Sequence, residues 1–169
     1  MIPGVISKSN IAGFIAPDFC ETTGESPLKE GFNIKFINTY LSTVTNNNGT
    51  FEIANVPKSL YNYTIRISKP GYLYRDIKNV DVESQFMNIG SADSPVTLWA
   101  GDINQDNSIN MADVIKIAQC FNANSDDENF KPDYDINKDK TINIADIIII
   151  AKHFNATTDS YDDAALKPN

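Results

Sequence analysis

The chain has 169 residues, 41% hydrophobic and 21% charged, which suits one or two small packed domains and argues against a disordered chain. Its formal net charge of −8 is uneven: residues 1–101 hold nine acids and eight bases, residues 102–169 thirteen acids and six bases. There is no basic stripe to neutralise phosphates and no run of about 18 apolar residues, so neither a nucleic-acid partner nor a membrane-spanning helix is expected.

The opening MIPGVISKSN has neither the apolar core nor the cleavage site of a secretion signal, so any such signal is expected upstream. Residues 8–98 then read as an all-β region, with short β-branched and aromatic runs separated by turn residues. Ile11–Ile15 is a first strand, ended by Pro17-Asp18, and Cys20–Glu30 is a polar loop. In Phe32–Ile37, alternation puts Phe32, Ile34 and Phe36 on one face. Thr43–Thr45 and Phe51–Ile53 flank Asn46-Asn47-Asn48-Gly49, and Asn-Gly between two such runs predicts a hairpin. Tyr63–Ser68 ends at Lys69-Pro70-Gly71-Tyr72, and Asp76–Val82 and Val96–Trp99 complete the set. About seven short strands in about 90 residues predict a sandwich of two sheets. Tyr61, Tyr63, Tyr72 and Tyr74 belong to its core and rim, a sugar-stacking platform being the alternative. Trp99 is expected at the junction with the C-terminal region, and Cys20 and Cys120, too few for a disulfide framework, as buried inert thiols.

The strings NGTFEIANVP (48–57) and YNYTIRISKPGY (61–72) resemble the immunoglobulin-like or prealbumin-like modules of bacterial surface proteins and carboxypeptidase regulatory domains. That resemblance implies a rigid spacer or stabilising neighbour, not a catalyst.

The second part of the chain is a repeat. Residues 102–123, DINQDNSINMADVIKIAQCFNA, recur at an offset of 33 as 135–156, DINKDKTINIADIIIIAKHFNA, with 14 of 22 positions identical. Each copy opens with oxygen-bearing side chains at loop positions 1, 3, 5, 9 and 12: Asp102, Asn104, Asp106, Asn110, Asp113, then Asp135, Asn137, Asp139, Asn143, Asp146. Ser108 and Thr141 stand at position 7, where a backbone carbonyl serves. This is the pattern of a calcium loop, and its all-oxygen donor set argues against zinc or copper. Two Ca²⁺ would offset most of the acidic excess. In the bland alternative these Asp and Asn residues only cap helices and form turns. Position 12 is Asp and not Glu, position 6 is Asn107 or Lys140 and not Gly, and Leu98-Trp99-Ala100-Gly101 before the first loop is not helical, so each unit is a loop plus one exiting helix. Ile109 and Ile142, at position 8, are expected to pair with each other between the loops.

This loop-plus-helix duplication, D-x-N-x-D-x-x-I-N-x-x-D, resembles the dockerin module of cellulosomes over Gly101–Ala156, and the preceding region resembles the X module found before type II dockerins. The resemblance implies an X module at 1–99 and a type II dockerin at 100–169, with repeats at 102–123 and 135–156, a linker at 124–134 and a polar, partly mobile tail at 157–169. The implied fold is an all-β immunoglobulin/prealbumin-like sandwich followed by an all-α pair of F-hand repeats. The implied partner is a type II cohesin at the cell surface, with no small-molecule substrate. A carbohydrate-binding β-sandwich with structural calcium is the alternative.

Helical spacing predicts Val114, Ile117, Ala118 and Phe121 facing inward, and likewise Ile147, Ile150, Ala151 and Phe154. The opposite stripe, Met111, Ala112, Ile115, Lys116, Gln119 and Asn122 with Ile144, Ala145, Ile148, Ile149 and Lys152, is apolar enough to imply a partner. In type I dockerins loop positions 10 and 11 usually carry Ser or Thr. Met111-Ala112 and Ile144-Ala145 resemble the type II class. The sole histidine, His153, has no nucleophile nearby to suggest catalysis and reads as a core-edge or surface group, and the acidic run Asp126-Asp127-Glu128 reads as a solvated charge run in a polar linker.

Overall fold

The structure, a computed structural model, describes residues 7–59 and 61–162. Residues 1–6, and 163–169 of the expected tail, lie outside the described residues. Eight strands are present: β1 (Lys8–Pro17), β2 (Asn33–Phe36), β3 (Ser42–Val44), β4 (Thr50–Pro57), β5 (Tyr63–Ser68), β6 (Arg75–Val80), β7 (Phe86–Ile89) and β8 (Val96–Leu98). Helices α1 (Met111–Ala118) and α2 (Ile144–Lys152) come next, then a 3₁₀ turn at Thr158–Ser160.

The strands form two four-stranded sheets. In one, β1 pairs antiparallel with β4 and, on its other side, parallel with β7 and then with β8 further along. In the other the order is β3-β2-β5-β6, all antiparallel. β7 is absent from the sequence-based expectation because it is only four residues long and its apolar Phe86 faces solvent, while Met87 and Ile89 supply the inward side. Close packing at β1 requires Gly13: a Cβ there would lie 2.2 Å from the Ile89 carbonyl oxygen and 2.5 Å from the Phe51 ring.

The expected hairpin about Asn46–Gly49 is corrected. The turn forms, with the Gly49 amide donating to the Asn46 carbonyl (2.9 Å) and the Asn46 amide to the Thr50 carbonyl (3.0 Å). The strands it joins then part into different sheets, β3 onto β2 and β4 onto β1. The turn is thus a corner between layers. The Gly49 carbonyl accepts from the Ile15 amide, which holds the corner to β1.

Phe32, Ile34 and Phe36 are fully buried, as the alternation predicts, and they share one apolar cluster with Ile11, Ile15 and Phe51 of the facing sheet. That cluster runs on through Leu73, Leu98 and Ala100 into Ile103, Ile109, Ile117, Ile136, Ile142 and Ile150, so the β region and the helical region share a continuous apolar interior. Each such side chain contributes about 1.5–3 kcal/mol on burial.

The described part of the tail is packed. Residues 157–162 pack back onto the β region: Tyr161 is 7% exposed, its hydroxyl donates to the Leu73 carbonyl (2.8 Å) and accepts from the Trp99 amide (3.0 Å). Of the two thiols, Cys120 is buried as expected and Cys20 is only half-buried. The linker 124–134 holds turns and no helix, including the Asp127 amide on the Asn124 carbonyl (2.9 Å) and the Phe130 amide on the Asp127 carbonyl (3.1 Å).

Candidate metal loops and docking face

In each loop the side-chain oxygens order the backbone. Asp102 accepts the amides of Asp106 (3.0 Å) and Asn107 (3.1 Å) on its two oxygens. Asn104 Oδ1 accepts the Asp106 amide (2.9 Å), and Asp106 Oδ1 accepts the Ser108 amide (3.1 Å) and hydroxyl (2.6 Å). Asp113 spans the unit: Oδ1 takes the amides of Ile103 (2.8 Å) and Asn104 (3.1 Å), and Oδ2 that of Asn110 (2.8 Å). Asn110 in turn caps α1 by accepting the Ala112 amide (2.7 Å). The second loop repeats this with Asp135, Asn137, Asp139, Thr141, Asn143 and Asp146, whose Oδ1 accepts the Ile136 amide at 2.7 Å. Position 6 is left-handed in both copies, Asn107 and Lys140 each having φ 72°, and so is position 4, with Gln105 at 59° and Lys138 at 60°. For each lysine this costs about 1 kcal/mol.

The donor set fits a hard divalent cation. Asp102, Asp113, Asp135 and Asp146 are at most 3% exposed, and among the described residues none of them has a Lys, Arg or His ion-pair partner. Burial first, and then repulsion from Asp113 and Asp106, pushes the Asp102 carboxyl up to about 6 against the pull of its two amide donors. Asp135 is raised for the same leading reason, with Asp146 adding repulsion. Buried anionic oxygens with no basic partner are costly, and a bound cation offsets that cost. Among the described residues no three or more His, Cys, Asp or Glu side chains gather closely enough to hold an ion by themselves. Amides are interposed instead, Asn104 Nδ2 donating to Asp106 Oδ2 at 2.8 Å and Asn137 Nδ2 to Asp139 Oδ2 at 2.8 Å.

Ile109 and Ile142 do not pair with each other. The Ile109 amide donates to the Ala156 carbonyl (2.8 Å) and its carbonyl accepts from Asn155 (2.7 Å); Ile142 does the same with Ala123 (2.9 Å) and Asn122 (2.8 Å). Each loop therefore pairs with the stretch just after the other repeat's helix. Left-handed Asn122 (φ 65°) and Asn155 (φ 68°) turn the chain into that pairing.

The inward helix faces are corrected in part. Ile117 and Ile150 are fully buried and Val114 and Ile147 half-buried, but Ala118, Phe121, Ala151 and Phe154 are exposed. The helices are only eight and nine residues long, so the phenylalanines fall beyond their ends, where helical spacing no longer applies. On the opposite side the structure leaves Met111, Ile115, Ile144 and Ile148 exposed at 56, 55, 58 and 63%. Ala112, Lys116, Gln119 and Asn122 are exposed beside them. Ala145 and Ile149 are half-buried, Ile149 packing on the core, and Lys152 is tied down.

That tie belongs to the junction where Trp99 was expected, although Asp18, Lys152, His153 and Tyr161 were not read as its partners. Asp18 Oδ2 meets Lys152 Nζ (2.6 Å) and His153 Nε2 (2.6 Å), and Lys152 also donates to the Asp18 carbonyl (3.2 Å). The His153 ring stacks on Trp99 at 4.2 Å and 6°, and Tyr161 covers the other indole face at 4.3 Å. Arg75 sits over the Tyr161 ring and donates to the Asp162 carbonyl (2.8 Å). Partners 135 residues apart leave no local pattern to read. Besides Trp99, the aromatic Tyr161 in a polar tail was an available signal.

The tyrosines do not form one platform. Tyr72 is buried edge-on to Phe32, Tyr74 lies under the Arg66 guanidinium, and Tyr61 and Tyr63 line a separate cleft.

The architecture matches a chain from a C-terminal interface mutant of the type II cohesin-X-dockerin complex of Acetivibrio cellulolyticus with TM-score 0.82 and 37% identity, covering 90% of this chain and 99% of that one. This chain belongs to the X module–dockerin family. An N-terminal interface mutant of the same complex matches equally, again with TM-score 0.82 and 37% identity over the same shares of both chains. The family model for the dockerin type I domain matches residues 100–164 of this X module–dockerin. Cellulosomal-scaffolding proteins B and A of Acetivibrio thermocellus are each 42% identical over 132 residues, which is 78% of this chain. The X module–dockerin spans only 17% and 7% of their lengths. It is of the cellulosomal scaffoldin kind, a non-catalytic interaction module.

Proposed function

We propose that the chain is a calcium-dependent interaction module that docks a scaffolding protein onto a type II cohesin outside the cell, at its surface. Residues 1–99 are the X module, an immunoglobulin/prealbumin-like sandwich serving as a rigid neighbour, and residues 100–169 are the dockerin, a pair of F-hands. The observation that carries this reading is the stripe of Met111, Ile115, Ile144 and Ile148, more than half exposed on two helices of a small acidic region. Monomeric surfaces rarely leave four large apolar side chains so exposed on neighbouring elements.

One Ca²⁺ per loop would be held by Asp102, Asn104, Asp106, Asp113 and the carbonyl of Ser108, and by Asp135, Asn137, Asp139, Asp146 and the carbonyl of Thr141. The ion supplies positive charge to carboxylates that have no ion-pair partner among the described residues. The chain's own residues do the aiming. Asp113 and Asp146 sit in the first turn of each helix and tie its start to the loop's first residues, so loop and helix move as one body. Met111-Ala112 and Ile144-Ala145 present apolar contacts that leave the polar groups of a type I receptor unpaired, which favours the type II class although the matching family model is described as type I. A docking face of this kind buries roughly 800 Å² per partner, with a few apolar anchors dominating.

Titration calorimetry of the whole chain against type I and type II cohesins, with calcium and after EDTA, tests this. Tight binding only to type II and only with calcium is expected, and Ile148→Glu should weaken it at least about tenfold with the fold intact. Equal affinity after EDTA would remove the calcium dependence, binding to type I alone would overturn the class, and an unchanged affinity in Ile148→Glu would reject the face.

A further inference from the structure

Strand register puts one end of the β-sandwich far from the dockerin. In β2–β5, Asn33 lies opposite Ser68 and Phe36 opposite Ile65. Ser68 leads into the Lys69–Tyr72 turn, which meets the dockerin through the Gly101 amide on the Gly71 carbonyl (2.8 Å). In β1–β4, Lys8 lies opposite Pro57, while the other end of β1 runs on to Asp18 and the junction. The 37–41 turn and residues 58–59 and 61–62 therefore share the far end.

These two segments enclose a cleft of about 400 Å³ whose lining includes Asn38, Thr39, Tyr61, Asn62, Tyr63 and Thr64. Among the described residues none that lines it is charged, which disfavours phosphates, carboxylates and metal ions as ligands. One wall is fixed: the Tyr63 hydroxyl donates to the Pro57 carbonyl (2.8 Å) and its ring stands edge-on to Phe36 at 5.3 Å. Tyr61 is presented to solvent, 83% exposed, by a turn in which its amide donates to Ser59 Oγ (3.1 Å). The side-chain amides of Asn38 and Asn62 have no hydrogen-bond partner among the described residues. Tyr40 stands fully exposed on the same turn as Asn38 and Thr39.

We propose that this cleft binds a neutral polysaccharide with equatorial hydroxyls, of the β-1,4-glucan type. Such a sugar ring is amphipathic: its flat C–H face stacks on an exposed aromatic ring, and its edge hydroxyls both donate to and accept from carboxamides. A concave, uncharged site with one rigid aromatic wall, one presented ring and two idle amides meets both needs in the size range of ligand sites. Because the cleft lies at the opposite end from α1 and α2, polysaccharide and protein partner can be held at once.

The test is native affinity electrophoresis of the full chain in gels cast with hydroxyethylcellulose, with soluble starch, or with no polymer. Retardation by hydroxyethylcellulose alone is expected. It should fall about fivefold or more in Tyr61→Ala, as for loss of one stacking ring, and also in the Asn38→Ala/Asn62→Ala double variant. Melting temperature and cohesin affinity should not move in Tyr61→Ala, since the side chain is exposed. An unretarded parent chain, equal retardation by starch, or a Tyr61→Ala variant that matches the parent would each overturn the proposal. A chain that fails here and still binds cohesin loses only this site.

Discussion

The junction between β region and second helix is open to a double-mutant cycle on Asp18 and His153. Asp18→Ala removes two contacts at 2.6 Å. The one to Lys152, whose side chain is 49% exposed, is screened and is worth about 0.2–1 kcal/mol. The one to His153 is between side chains 18% and 13% exposed, and a hydrogen bond to a charged group so placed contributes about 1.5–3 kcal/mol. Asp18 Oδ1 is buried with no partner, so deleting the carboxyl also relieves a desolvation cost of about 1–3 kcal/mol. The single variant should therefore destabilise by only about 1–2 kcal/mol. His153→Ala loses the same bond and the stacking on Trp99, about 0.5–1.5 kcal/mol more. Because both singles sever one shared bond, their effects should fall short of additivity by about 1–2 kcal/mol in urea unfolding of the whole chain. Additivity within about 0.3 kcal/mol would show that Asp18 and His153 only happen to be close, and would remove the case for a clasp.

Two further expectations concern the loops and the central strand. Asp135→Ala combined with Asp139→Ala should abolish cohesin binding and melt the C-terminal half, since Asp135 and Asp139 accept six hydrogen bonds from within the loop; helical circular dichroism that survives in the variant and in chelator would contradict this. Gly13→Ala should destabilise by about 3 kcal/mol or more, because its new methyl meets backbone and an aromatic ring at once, and a melting temperature within about 2 °C of the parent would refute the packing at that point.

Short-range features were the ones legible in the sequence. The twelve-residue loops and the helix starts come from residues a few places apart, and so does β5, whose bounds agree residue for residue. Phe32, Ile34 and Phe36 were legible as core because strand alternation needs no partner to be seen. The failures are long-range. Asn46–Gly49 has the local chemistry of a hairpin, but sheet membership is decided by what β1 and β2 offer to β4 and β3. The Phe121 and Phe154 assignments continued a helical period past the helix ends at Ala118 and Lys152. Asp18 and Tyr161 looked like turn and tail residues, and became a clasp and a strap only once the chain had brought the two ends together.

The reciprocal pairing of Ile109 with residues 155–156 and of Ile142 with 122–123 makes the duplication irreversible in a physical sense. Cutting the chain within 124–134 and separating the halves leaves each with an orphaned edge in its loop and another after its helix, and the four main-chain hydrogen bonds of this pairing are lost. Either fragment on its own regains those bonds only from a second chain. A severed half is therefore a template for domain-swapped dimers, and covalent continuity through 124–134 is what keeps that pairing within one chain.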